Sequence, residues 1–264
     1  MSGIKEGKIR ISSGEIDYIA FGRGERPLVM LQGLNTGMFR GTSIPLAFSY
    51  RIFAKDFRVY LFDRRPVVTE KTTVRELAQD VAEAMDKMGL KGASVLGVSQ
   101  GGMIAQHLAI DRPDLVEKLV LAVTLSRNND TVTSVINNWI SLTEKDDYKA
   151  LVSDMAEKMY SEKYMRMYRP MLPLLTLLQK PKDKERFINL ARACLTCTSY
   201  DELDKITCKT LVIGGGEDKI VGKEAAEEIR RKLNCEAHIY EGLGHAAYEE
   251  AKDFNERVLR FFLD

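Results

Sequence analysis

A chain of 264 residues is long enough for one large core, or for a core carrying an insertion. With 45% hydrophobic and 29% charged residues, it has the composition of an ordinary globular protein. Basic and acidic residues number 39 and 38, and neither that balance nor any basic block or zinc-finger spacing favours a nucleic-acid partner.

The start, Met1–Glu6, is polar and lacks a signal-peptide core, and no stretch reaches membrane-spanning length. A cytoplasmic location is the default expectation. No sequence feature sets an oligomeric state. Residues 8–11 and 15–21 alternate polar and apolar side chains across Ser13-Gly14, which predicts a hairpin. Leu28–Leu31 is continuously apolar, as in a strand covered on both faces. It ends in the glycine-bearing loop 32–37, at the carboxyl end of a buried strand, where α/β sheets place ligands. Helical character follows over Ile44–Ala54, then a strand over Phe57–Phe62 closed by Asp63-Arg64-Arg65-Pro66.

The clearest helix runs from Val74 to about Met88, with Thr73 and Glu76 spaced as a capping box and Gly89 as its stop. Ala93–Leu96 is a strand that ends in Gly97-Val98-Ser99-Gln100-Gly101-Gly102, and a helical pattern to Ile110 follows at once. Gly-x-Ser-x-Gly between strand and helix is the nucleophile-elbow pattern. It lifts the Ser99 hydroxyl clear of the sheet and points free helical N–H groups at it. Leu119–Val123 is the next buried strand.

Between Leu125 and Tyr200 no central strand is predicted. Helical segments run over 132–142, 148–159, a broken stretch through Leu172 and 174–178, and 183–196, interrupted by Pro170, Pro173 and Pro181. This reads as a helical cap (125–200) inserted into a core made of 1–124 and 201–264. Its apolar set of Met155, Met159, Met165, Met167, Met171, Leu172, Leu174, Leu175, Leu177 and Leu178 either packs the cap or lines an apolar acyl pocket. Cys194 and Cys197 fall inside the last of these helices and read as buried thiols rather than a metal or redox pair. Strands over 209–213 and 237–240 and helices over 223–233 and 249–262 complete an alternating pattern, which predicts a mostly parallel, doubly covered sheet of eight strands.

Serine needs a base. Of three histidines, His107 sits two turns beyond Ser99 on the helix behind it, and His238 lies within a strand. His245, in a glycine-flanked loop at the carboxyl end of the sheet, is the base candidate. Asp218, after the 209–213 strand, is the carboxylate expected to orient it, with the adjacent Glu217 as the alternative. The oxyanion of a tetrahedral intermediate is expected at the backbone N–H groups of Gln100 and Leu34, with Gly33 allowing close approach. The Gln32 side chain braces that loop or meets substrate. The run Gly214-Gly215-Gly216 lacks the spacing of a phosphate loop. No metal or cofactor is called for.

Leu31-Gln32-Gly33, Phe62-Asp63-Arg64-Arg65, the elbow, Arg112-Pro113-Asp114, Gly214–Asp218 and Gly244-His245 occur in an order that resembles the α/β-hydrolase superfamily, in its serine lipase, esterase and haloperoxidase-like branch. The resemblance covers the whole core. It implies an α/β-hydrolase fold with an eight-stranded sheet flanked by helices and a cap after the sixth strand. It also implies cleavage of esters, thioesters, lactones or carbon–carbon bonds in diketones. Serine at position 99 argues against relatives that use aspartate there. The chain departs from the common pattern at Gln32-Gly33, where His-Gly is usual, and at Pro66, where the Asp-x-Arg motif usually continues with glycine. The leading expectation is a serine carboxylesterase acting on a small, mainly apolar acyl substrate through an acyl-enzyme. A carbon–carbon hydrolase or thioesterase using the same residues is the alternative, and a non-catalytic binding protein on this fold is the alternative of another class.

Overall fold

The computed structural model describes residues 3–37 and 41–264; Met1 and Ser2, within the polar start, lie outside it, as does the Leu175 side chain. Eight strands form one sheet: β1 (Lys5–Ile11), β2 (Gly14–Phe21), β3 (Arg26–Leu31), β4 (Phe57–Phe62), β5 (Ala93–Val98), β6 (Val116–Ala122), β7 (Lys209–Gly215) and β8 (Glu236–Tyr240). Their order across the sheet is β1-β2-β4-β3-β5-β6-β7-β8. β1 and β2 form the expected hairpin, β2 meets β4 antiparallel, and every later pair is parallel. Since β3, β5, β7 and β8 all run the same way, the loops after them emerge at one end of the sheet.

Helices cover both faces. On one side lie α2 (Val74–Lys87), α3 (Gln100–Asp111) and α9 (Ala225–Leu233), whose apolar residues share a cluster with Val29, Val95 and Leu121, and α4 (Asp130–Glu144), α5 (Tyr148–Met159) and α8 (Lys184–Cys194) extend that cluster. On the other lie α1 (Ser43–Ser49), α10 (Ala247–Glu250) and α11 (Phe254–Leu263), which pack Ala47, Ala247, Phe254, Val258 and Phe262 against Leu28, Leu61 and Leu96. Thr73 and Glu76 form a complete capping box on α2. β5 is buried along its whole length, which fits its near-continuous run of apolar and small residues.

Between β6 and β7 the chain is helical, with one isolated bridge, Arg127 to Thr198, among the described residues. Three details differ from the sequence pattern. The segments α6 (Glu162–Tyr168) and α7 (Leu172–Gln179) are separate helices joined by a 3-10 turn at Pro170, and α6 has no counterpart among the predicted helices. α8 ends at Cys194, so Cys197 lies past the helix, where its thiol reaches the Leu125 carbonyl. The closing helix is two helices, because the backbone turns extended at Ala251 and restarts at Asp253. That break lets α10 stay beside the His245 loop while α11 lies flat on the sheet. Of the expected apolar set, Met165 is buried, whereas Met167, Met171, Leu174, Leu177 and Leu178 are exposed. No helix among the described residues is long and apolar enough to cross a membrane.

Candidate active site

Ser99 is the residue between β5 and α3. Its backbone stands at φ 53° and ψ −119°, a region a side chain rarely adopts and that costs about 1–3 kcal/mol. The surroundings enforce it: the Ser99 N–H donates to Ala122 O at 2.9 Å, and the Thr124 hydroxyl donates to Ser99 O at 2.8 Å. α3 then packs directly on β3. A Cβ at Gly101 would stand 1.9 Å from Leu31 O, so only glycine permits that approach.

β7 and β8 bring the other two candidates to the same place. His245 Nε2 is 2.9 Å from Ser99 Oγ, and His245 Nδ1 is 2.8 Å from Asp218 Oδ2. Asp218 Oδ1 accepts the backbone N–H groups of Ile220 at 2.8 Å and Val221 at 3.0 Å. Both side chains are almost wholly buried. The glycine run has a structural use here: a Cβ at Gly215 would come within 2.2 Å of Gly244 O, so the run lets the two loops close on one another. Glu217 is exposed, and its backbone N–H donates to Leu243 O. Asp218 is therefore the carboxylate that meets His245. His107 is buried in α3 and His238 lies in β8 against Tyr240, both away from Ser99.

The loop after β3 passes beside the serine. A Cβ built on Gly33 would lie 3.3 Å from Ser99 Cβ and 3.8 Å from its Oγ. Gly33 and Leu34 line one cavity with Ser99 and His245. The N–H of Gln100 is the first of α3 and so has no partner within the helix. The Gln100 side chain turns away, donating to Leu190 O at 2.7 Å and to Cys194 Sγ at 3.1 Å, which ties the elbow to α8. Burial pushes the Cys194 thiol up to about 12 and Cys197 up to about 11, so both stay protonated.

Arg64 is a residue whose role the sequence did not reveal. Its guanidinium is buried beneath the loop and donates to the carbonyls of Gln32 and, at 3.2 Å, Gly33. Burial pulls it down to about 10, opposed by Asp63. Arg186 of α8 completes the layer by donating to Asp63 Oδ1 at 3.3 Å and to Arg64 O at 3.2 Å. The Asp-Arg pair after β4 was the available signal, but its target lies thirty residues away in the chain.

The cavity at Ser99 is small, about 40 Å³, room for a few water molecules. Met103, Val132, Ile136, Trp139, Met155 and Met159 give it a hydrocarbon wall.

The family model described as alpha/beta hydrolase fold matches residues 26–252. The chain belongs to the α/β-hydrolase family. A 2-hydroxy-6-oxononadienedioate/2-hydroxy-6-oxononatrienedioate hydrolase of Pseudomonas sp. is 26% identical over 281 residues, covering 98% of this hydrolase and 94% of that one. The enol-lactonase of Burkholderia xenovorans LB400 superposes with a TM-score of 0.83 at 20% identity, over 98% of this chain and 100% of its own. An esterase of Exiguobacterium antarcticum superposes with a TM-score of 0.82 at 21% identity, over 98% of this chain and 100% of its own. At these identities the structural likeness shows the fold.

Proposed function

We propose that this hydrolase cleaves a small carboxylic ester whose acyl part is mainly apolar, with Ser99 as nucleophile. What carries the reading is the unbroken chain of contacts from Asp218 through His245 to Ser99 Oγ. His245 Nε2 takes the proton as Ser99 Oγ attacks the carbonyl carbon. Asp218 holds the proton on Nδ1 and stabilises the imidazolium. The N–H groups of Gln100 and Leu34 hold the oxyanion, with Arg64 fixing the carbonyls of the loop that carries Leu34. His245 then protonates the departing alcohol, and water activated by the same nitrogen releases the acid. The helices over 125–200 act as a cap, supplying the hydrocarbon wall from α4 and α5 that limits acyl size.

A second reading is carbon–carbon bond hydrolysis, favoured by the 26% identity to the Pseudomonas hydrolase. The substrate in that protein's name is a dioate, which carries two carboxylates. Among the described residues no Lys or Arg lines the Ser99 cavity, so a carboxylate there would lack a partner. The ester reading fits the lining better.

Short p-nitrophenyl esters and a fluorophosphonate probe test the proposal. Wild type is expected to turn over the former and be labelled by the latter, and Ser99→Ala to do neither. Equal turnover by Ser99→Ala would refute it.

A further inference from the structure

A second cavity adjoins the Ser99 cavity and is far larger, about 570 Å³. The two share Gly33, Leu34 and Tyr248 as wall residues. Their linings differ in balance. Mostly hydrocarbon surrounds Ser99, whereas the second cavity adds Gln32, Asn35, Ser49, Glu249 and Asn255 to the apolar side chains of Leu46 and Val98. Among the described residues that line it, Glu249 carries the formal charge and no Lys or Arg accompanies it.

Several polar atoms of this wall are unused. Asn35 Oδ1 and Nδ2 are buried with no hydrogen-bond partner among the described residues, and so is Asn255 Oδ1. Glu249 accepts the Tyr160 hydroxyl at 2.6 Å through Oε2. Burial first, and then the negative charge of Glu249, push the Tyr50 hydroxyl up to about 12; the same two causes raise Tyr248 well above the ordinary tyrosine value. Both phenols therefore stay neutral and keep electron-rich rings beside the carboxylate, an environment that favours a cation.

We propose that the second cavity is the leaving-group subsite and selects an ester whose alcohol portion carries an ammonium group. The inference rests on the ester-hydrolase reading above and names the half of the substrate that reading leaves open. Two substituents extend from the carbonyl carbon attacked by Ser99. The 40 Å³ hydrocarbon cavity admits only a short one, and the larger space across Gly33 and Leu34 takes the other. An ammonium group there is attracted by Glu249 and by the rings of Tyr50 and Tyr248. A neutral hydroxylated alcohol lacks that charge. A carboxylated alcohol meets Glu249 with no opposing cation among the described lining residues.

Four acetate esters of similar size test this: 3-dimethylaminopropyl acetate (protonated at neutral pH), 2,3-dihydroxypropyl acetate, 4-methylpentyl acetate and 4-acetoxybutanoate. The first is expected to have the highest kcat/KM and the last the lowest, about tenfold or more apart. Glu249→Gln is expected to lower the ammonium ester about tenfold relative to the alkyl ester. Adding salt should narrow the charged comparison. Turnover of the carboxylated ester equal to or above the ammonium ester would overturn the proposal, as would a ranking that Glu249→Gln leaves unchanged. Ser99→Ala protein titrated with free 3-dimethylaminopropanol provides a readout independent of turnover. Saturable binding, weakened by adding Glu249→Gln, is expected, and no saturable binding would overturn the assignment. If wild type hydrolyses none of the esters while the Ser99→Ala protein binds the amino alcohol, the ester reading fails and the ligand preference of the cavity stands.

Discussion

Asp218→Asn isolates the orienting carboxylate with almost no change in shape. Asp218 Oδ1 accepts two backbone N–H groups, from Ile220 at 2.8 Å and Val221 at 3.0 Å. In the variant only the amide oxygen can occupy that position, because an NH2 group there would face two donors. The amide nitrogen is thereby forced onto the side of His245 Nδ1, now 2.8 Å from Asp218 Oδ2. It donates to Nδ1, so the ring proton moves to Nε2. An Nε2–H that stands 2.9 Å from Ser99 Oγ donates to the hydroxyl and is unable to take its proton. The expected loss in kcat is about 10⁴-fold, the size seen when a triad aspartate is amidated elsewhere. That equals about 5.5 kcal/mol at 1.36 kcal/mol per decade. The number of hydrogen bonds is unchanged, so the stability cost is expected to stay within about 2 kcal/mol. Pre-steady-state acylation by p-nitrophenyl acetate measures the first quantity, and urea unfolding measures the second. A folded variant within tenfold of wild type would refute the orienting role. A comparable loss in Glu217→Gln, at an exposed carboxylate, would assign that role to the wrong neighbour.

Gly33→Ala puts a methyl 3.3 Å from Ser99 Cβ, so the loop must shift by a few tenths of an ångström; kcat for short esters is expected to fall about ten- to hundredfold, and an unchanged kcat would show that the loop does not position the reacting groups. Ile136→Ala enlarges the hydrocarbon wall, so the hexanoyl-to-acetyl ratio of kcat/KM should rise while stability drops by about 2–5 kcal/mol; a constant ratio would remove Ile136 from the acyl wall. His107 is buried with neither ring nitrogen bonded among the described residues, and burial, then Arg75, lowers its pKa from 6.5. Below that value the unfolded chain binds a proton the folded chain resists, so His107 contributes a loss of stability as pH falls through about 6.5. Urea unfolding between pH 7 and 5 is expected to give a flatter pH dependence in His107→Leu than in wild type, and equal slopes would contradict this.

The elements with short-range causes were legible. The capping box at Thr73 and Glu76 starts α2 where the spacing placed it, because both partners lie within one turn. The alternation around Ser13-Gly14 gave the hairpin, since the turn and both strands are contiguous. The candidate site was legible for a related reason. A parallel sheet sends the loops after β5, β7 and β8 to one end, so chain order alone brings Ser99, Asp218 and His245 near each other. Where proline interrupts the apolar pattern, periodicity lost its meaning, and α6 went unread. The same held at Ala251, where packing on the sheet rather than any local breaker divides the last helix.

The sequence by itself determined the elbow, the alternating α/β order, and Ser99 and His245 as members of the site, because each depends on neighbours in the chain or on strand direction. Only the tertiary structure decided that Asp218 rather than Glu217 meets His245, that Arg64 grips the carbonyls of Gln32 and Gly33, and that α4 and α5 wall the small cavity. It also decided that Asn35, Tyr50 and Glu249 share a second one. Those facts join residues far apart in the chain, and neither periodicity nor motif spacing encodes which distant side chains face each other once the core has packed.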